Sequence, residues 1–380
     1  VQHDRAGVIE RGHTDAQEAV VAVSFLRVDA STEIARQFRV LVDEAGGAAQ
    51  LNRPEVAGAL LGQLARMRQP GPEGAAMLVR SARARARAAL RMADERRIGC
   101  LHAGQPDYPD RLWQIPDPPA ALWFLGRPGI LSLPSVAVVG ARRATPSGLS
   151  VAVRLSRELS EAGLVVVSGL ARGVDGAAHE GALNAEGATV AVLGCGADLV
   201  YPPEHRDLAR RICQTGALVT EFPPGSQPLP WRFPLRNRII SGLSRAVVVV
   251  EASERSGSLI TARAALEQGR DVLAVPGSVA SGRYRGGHAL IKDGARLVET
   301  VDDVLEEIGW RRPPGPALTE SDKDITVSSL EMSMARGETY SLDELARVTG
   351  LGAPELLSEL ARLELAGRVV RVGGGNFAKT

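Results

Sequence analysis

From residue 135 onward the chain repeats one pattern. Six short apolar runs recur: "SVAVVG" (135–140), "LVVVSG" (164–169), "TVAVLG" (189–194), "ALVTEF" (217–222), "AVVVVEA" (246–252) and "VLAVPG" (272–277). They do not alternate apolar with polar positions. Runs that are apolar throughout mark strands buried on both faces, as in a parallel sheet covered by helices. Helical stretches separate most of them, and strand–helix alternation predicts a doubly wound, mainly parallel α/β sheet.

The flanks are patterned differently. Residues 31–97 are rich in Ala, Leu, Arg and Glu at helical spacing, broken at "AGGAAQLNRP" and "RQPGPEG", and predict a small helical domain. Residues 1–30 read as a tail. Residues 98–130, "PDYPDRLWQIPDPPAALWFLGRPG" among them, are dense in proline and aromatic residues and read as an ordered coat over the core that continues to residue 310. A proline-rich linker, "RRPPGPALTESD" (311–322), precedes a second domain at 323–380. There Ser341 and Glu344 form a capping box, Gly350 is a stop, and Pro354 and Gly367 bracket the next helix. "RVVRVGGGNFAK" reads as a hairpin turning on Gly373–Gly375. Helices followed by a hairpin predict a winged-helix-like fold. Its second helix presents Glu355, Glu359 and Glu364 against Arg362. Phosphate contacts dominate DNA affinity, so this helix suits protein contact better than a DNA groove.

Composition narrows the function. The net charge of +1 over 380 residues supplies no global field, so any basic site is local. Cys100, Cys195 and Cys213 form no CxxC pair, which points away from a disulfide framework or a zinc site. No apolar run approaches membrane length, and the first residues lack a basic n-region; the expectation is a cytoplasmic protein without membrane contact. Lys292, Lys323 and Lys379 are the only lysines, so arginine carries nearly all positive charge. Arg80, Arg83, Arg87 and Arg91 share one helical face, read as a solvated face, with a nucleic-acid patch as the alternative.

Ligands of open α/β sheets bind beyond the carboxyl ends of the strands. The loop after the first run offers Gly140, Arg142 and Arg143; the second offers Ser168, Gly169, Arg172 and Gly173; a loop after the fourth offers Arg236, Asn237 and Arg238; the fifth offers Ser256, Gly257, Ser258 and Thr261. Glycines let a backbone approach an anion, helix N-termini direct N–H groups at it, and arginines add forked donors. Four such loops along one edge suit a polymer of phosphates better than a single nucleotide.

Enzyme signatures are missing. "GARRATPSG" is not GxGxxG, and the second strand ends in Ser168–Gly169 where a ribose-binding acid belongs. No GxxxxGK[ST], HExxH or GxSxG occurs. Asp175 and His179 fall on one helical face and are open to two readings: a base with its orienter, or a hydrogen bond fixing the helix start. Glu221 and Glu251, at strand ends, read as acceptors that hold loop arginines, with general bases as the alternative. Phe222, Trp231 and Phe233 are possible stacking platforms, Phe233 foremost, with core packing as the other reading.

The runs "VAVVGARRATPSG", "VVVSGLARGVDGAAHEGAL", "FPLRNRIISGLS", "EASERSGSLITARAALEQGRDVLAVPG" and "LIKDGARLV" resemble the DNA-processing protein A family, also called Smf, over about residues 98–300. The resemblance implies an extended Rossmann core that binds single-stranded DNA without sequence preference, catalysis or cofactor. It also implies a homodimer that loads a RecA-type recombinase during natural transformation. The implied anion pocket holds Arg142, Ser168, Gly169, Arg172, Asn237, Arg238, Gly257 and Thr261. Gly140, Arg143, Gly173, Ser256 and Lys292 join it as candidate nucleic-acid contacts. The family often has lysine where Arg172 stands and usually asparagine at the place of His288. The alternative is a Rossmann-like nucleoside-monophosphate phosphoribohydrolase, whose GGxGTxxE loop would put Ala264 where its glutamate is needed. A third reading is a scaffold for other proteins with incidental arginine loops.

Overall fold

The computed structural model describes residues 13–28, 32–69, 71–312, 330, 333–335, 338–365, 367–372 and 376–379. The chain divides into two units, residues 1–313 and 314–380.

The first unit opens with four helices: α1 (Asp15–Val28), α2 (Thr32–Glu44), α3 (Pro54–Arg68) and α4 (Pro72–Glu95). The expectation of a tail over 1–30 is corrected by α1. Ala19, Val20, Val21, Ala22 and Val23 are completely buried, and α1 packs against α3 and α4. A helix apolar on every side is a central helix, and Val20, Val21 and Val23 each contribute roughly 1.5–3 kcal/mol by burial. The separate helical domain over 31–97 is corrected too. Val20, Leu61 and Leu90 share one continuous apolar cluster with Leu101 and Trp123 of the sheet, so helices and sheet fold around a common core. The arginine face of α4 is partly neutralised, because Arg83 and Arg87 both pair with Glu18 (3.1 and 2.8 Å).

The proline-rich stretch after α4 contains two strands, β1 (Gly99–His102) and β2 (Ala121–Gly126), with a helical turn α5 (Asp110–Trp113) between them. It extends the sheet, where a coat was expected. All six runs from residue 135 form strands: β3 (Ser135–Val139), β4 (Val165–Ser168), β5 (Thr189–Val192), β6 (Ala217–Thr220), β7 (Ala246–Val249) and β8 (Asp271–Ala274). The helices α6 (Pro146–Glu161), α7 (Val174–Asn184), α8 (Arg206–Thr215), α9 (Arg232–Leu243) and α10 (Ser258–Glu267) alternate with them; α11 (Arg285–Lys292), β9 (Arg296–Leu297) and α12 (Val301–Glu307) follow. The sheet order is β1-β2-β6-β5-β4-β3-β7-β8-β9. β3 to β9 pair with one another in parallel, while β2 pairs antiparallel with both β6 and β1 at one edge. Val136, Val138, Val166 and Val248 face one apolar cluster, and Ala137, Val139, Val167 and Val247 face the other. This is the two-sided burial that the unbroken apolar runs require.

The chain order leaves β3 toward β4, β5 and β6 on one side, and β7 toward β8 and β9 on the other. The strand order therefore reverses between β3 and β7, and a crevice opens beyond the carboxyl ends at such a switch point.

In the second unit, β10 (Thr339–Tyr340), α13 (Leu342–Thr349), α14 (Ala353–Leu365), β11 (Val369–Val372) and β12 (Asn376–Lys379) form a winged-helix arrangement, with sheet order β10-β12-β11. The Ser341–Glu344 capping box caps α13, and Gly350 ends it at φ +72°. Residues 313–322 of the expected linker and the turn at 373–375 lie outside the described residues.

Candidate nucleic-acid interface

The switch point holds a cleft of about 490 Å³. Its walls come from the β3–α6 loop (Gly140, Arg142, Arg143), the β7–α10 loop (Glu251, Ser256, Gly257) and α9 (Phe233, Asn237), with Thr261 of α10 behind them. Nine of the strand-end loop residues picked out in the sequence thus meet here: Gly140, Arg142, Arg143, Arg236, Asn237, Ser256, Gly257, Ser258 and Thr261. The Asn237 amide donates to the Gly257 carbonyl at 3.4 Å and ties α9 to the β7–α10 loop. Arg142 and Arg143 are exposed and form no salt bridge among the described residues. The Arg142 guanidinium lies 5.6 Å from the centre of the Phe233 ring. Arg283, absent from the sequence reading, also lines the cleft and donates to the Arg143 carbonyl at 2.8 Å. It sits in the short helical turn Gly282–Tyr284, beyond the loop that follows β8, and the tertiary fold brings it here.

Glu251 is buried at the base of β3–α6. One carboxylate oxygen accepts from the Thr145 N–H (2.9 Å) and hydroxyl (2.8 Å). Thr145 in turn accepts from the Gly148 N–H as the N-cap of α6. Its second oxygen lies 3.8 Å from Arg283. Glu251 therefore holds the start of α6 and the arginine loop before it.

The other candidates are engaged elsewhere. The loop after β4 is filled by its own side chains: the buried Asp175 carboxylate accepts from the Gly169 (3.2 Å) and Ala171 (3.4 Å) N–H groups, occupying the place an anion would take. Burial pushes the Asp175 carboxyl above its usual range, against the pull of Arg236. Ser168 is buried and donates to Val138 O at 2.7 Å, across the β3–β4 pair. Arg236 is buried behind Gly169 and donates to the Gly169 and Val192 carbonyls; burial lowers its guanidinium to about 10. A Cβ on Gly169 would lie 2.3 Å from that guanidinium. Gly173 adopts φ +77° with the Ala141 carbonyl 2.2 Å from where a Cβ would sit, and this close approach joins the β4 and β3 loops. Arg172 stands outside the cleft, exposed and paired with Glu204. Lys292 is exposed at the end of α11, also outside it.

The expected loop at "FPLRNRIISG" is helix α9. Successive helical residues point about 100° apart, so the three diverge: Arg236 lines the cleft while bonding the strand-end carbonyls, Asn237 faces the cleft wall, and Arg238 turns to the proline-dense stretch. Arg238 makes a two-pronged pair with Glu221 (2.7 and 2.7 Å) and reaches Asp117 at 2.9 Å. Glu221 is thus an arginine holder, as read from the sequence. Asp175 and His179 do not bond one another. The buried His179 Nδ1–H donates to the Thr189 hydroxyl (2.8 Å), which donates to Val166 O (2.7 Å). Burial lowers the His179 imidazole to about 3, which leaves it neutral and structural. His288 donates to the Gly277 carbonyl at 3.1 Å.

Fold and site together define a Rossmann-like protein with an arginine-lined cleft at its switch point. The model of DNA recombination-mediator protein A matches residues 99–309, and that of the DprA winged helix domain matches residues 337–375. The Escherichia coli protein Smf is 41% identical over 276 residues, covering 70% of this chain and 74% of that one. DNA processing protein DprA of Streptococcus pneumoniae is 47% identical over 200 residues, 53% of this chain and 71% of the relative. The X-ray structure of DNA processing protein A from the same organism superposes with a TM-score of 0.65 at 36% identity, covering 78% of this chain and 98% of that one. The Helicobacter pylori protein, described for its single-stranded DNA binding mode, gives 0.51 at 29% identity over 56% of this chain and 95% of that one. The chain belongs to the DNA recombination-mediator protein A family.

Proposed function

We propose that this protein binds single-stranded DNA in the switch-point cleft, without sequence preference and without chemistry. The observation that carries the reading is the exposed, unbridged pair Arg142 and Arg143 beside the Phe233 ring. Backbone-tracking cations next to an aromatic face are what sequence-tolerant single-strand binding uses. Gly140, Asn237, Ser256, Gly257 and Thr261 shape the cleft around them. Catalysis finds little support, because Asp175 and one carboxylate oxygen of Glu251 are committed to loop N–H and hydroxyl groups. Ala264 stands where a phosphoribohydrolase of the related type needs its glutamate.

In this reading the protein covers and protects the strand, then passes it to a RecA-type recombinase. The acidic face of α14, where Arg362 is tied to Glu359 at 2.7 Å, suits protein contact. The chain works as a homodimer, and the free β9 edge with its exposed Leu297 is a surface open to a second copy. The test is fluorescence anisotropy with labelled oligothymidine. Arg142→Ala and Arg143→Ala are expected to weaken binding for every strand sequence alike. Unchanged affinity in both would leave the scaffold reading in its place.

A further inference from the structure

Beyond the cleft, on the side of β4 and β5, lies a group of side chains that the account so far leaves unused. Tyr201, in the β5–α8 connection, is 40% exposed. Its ring lies 5.4 Å from Phe233 at an angle of 48°. Aromatic residues are only 4% of this chain, and burying a ring face is favourable, so this part-exposed ring beside the cleft offers a face on which a base gains by stacking. Phe233 is also the ring beneath Arg142. The order Arg142, Phe233, Tyr201 therefore leads outward from the cleft as cation, ring, ring.

A second cation stands at the end of that line. Arg172 has a side-chain exposure of 58%, and its guanidinium is held by the carboxylate of Glu204, itself 48% exposed and three residues beyond Tyr201. The turn that carries Glu204 is fastened to the β4 loop by His205, whose Nδ1–H donates to Leu170 O at 3.0 Å. Ring, cation and acid are thus fixed relative to one another. An exposed ion pair contributes little to stability, so Glu204 is readily exchanged. Its carboxylate sits on Arg172 as a phosphate oxygen would.

We propose that Tyr201, Arg172 and Glu204 form a second nucleotide subsite. A base of the strand leaving the cleft stacks on Tyr201, and the neighbouring phosphate takes Arg172 from Glu204. This rests on the single-stranded DNA reading above and adds a direction to it: the strand runs from the switch point across the ends of β4 and β5. Glu204 becomes a placeholder that weakens binding until a phosphate replaces it.

The experiment is anisotropy with labelled oligothymidines of two lengths, one short enough to fill the cleft alone and one several nucleotides longer. Stacking of one base is worth about 1–3 kcal/mol, so Tyr201→Ala should lower affinity for the longer strand about tenfold and for the short one far less. Tyr201→Trp should restore it, which a loss of folding would not allow. Glu204→Gln should tighten the longer strand a few-fold, and this gain should vanish when combined with Arg172→Ala. If the unaltered protein binds DNA but Tyr201→Ala binds the longer strand equally well, the subsite is wrong and the cleft reading stands. If the unaltered protein binds neither strand, both fall.

Discussion

Arg238 donates to Glu221 and Asp117 with its side chain 13% exposed, while Arg142 stands in solvent over Phe233. Removing one partner of a buried ion pair leaves an uncompensated charge and costs about 3–5 kcal/mol. Arg238→Ala is therefore expected to lower the urea midpoint by that equivalent. Arg142→Ala should stay within about 0.5 kcal/mol of the parent in the same experiment. In DNA titrations it should reduce the slope of log affinity against log salt by about 0.7, the value for one phosphate contact to a single strand. Gly173→Ala meets both a positive φ and the Ala141 carbonyl, and an expected loss of more than about 1 kcal/mol is readable by thermal unfolding. "RNR" and "GARR" looked alike as arginine-rich loop sequences. What separates them is helical phase in α9, and no sequence spacing assigned the first to a helix because Pro234 stands among its residues.

At the scale of elements, the strands β3 to β8 were legible because a run buried on both faces has few alternatives once helices alternate with it. β1, β2 and α1 were not. β1 and β2 lie on either side of a proline-dense stretch, and "EAVVAVSFL" lacks the amphipathic stripe that marks a surface helix, since α1 is enclosed on every side. The cleft loops after β3 and β7 could be found from glycine and arginine at strand ends. The loop after β4 carried the same signature and turned out to be satisfied by Asp175, a carboxylate from the helix that follows. One element-scale prediction concerns α7. His179 is near 3 in the fold against 6.5 when free, so the unfolded chain binds its proton between these values. Its contribution to stability is fully present above pH 6.5 and is lost as pH falls toward 3. His179→Gln should show a shallower loss of stability over that window in denaturant titrations.

At the scale of the molecule, helices and sheet share a core up to residue 313 while the second unit has its own. Deleting residues 314–380 should leave a chain that unfolds in one cooperative step and retains DNA binding. Deleting residues 1–97 uncovers Leu101 and Trp123 and should yield an aggregating product, as size-exclusion chromatography would show. The central claim is that bases and backbone of an unpaired strand enter the switch-point cleft. Its most direct test is anisotropy of a labelled single strand and of the same strand annealed to its complement, each at low and high salt. The account predicts far tighter binding of the single strand at both, with affinity falling as salt rises; equal affinity for strand and duplex would contradict it.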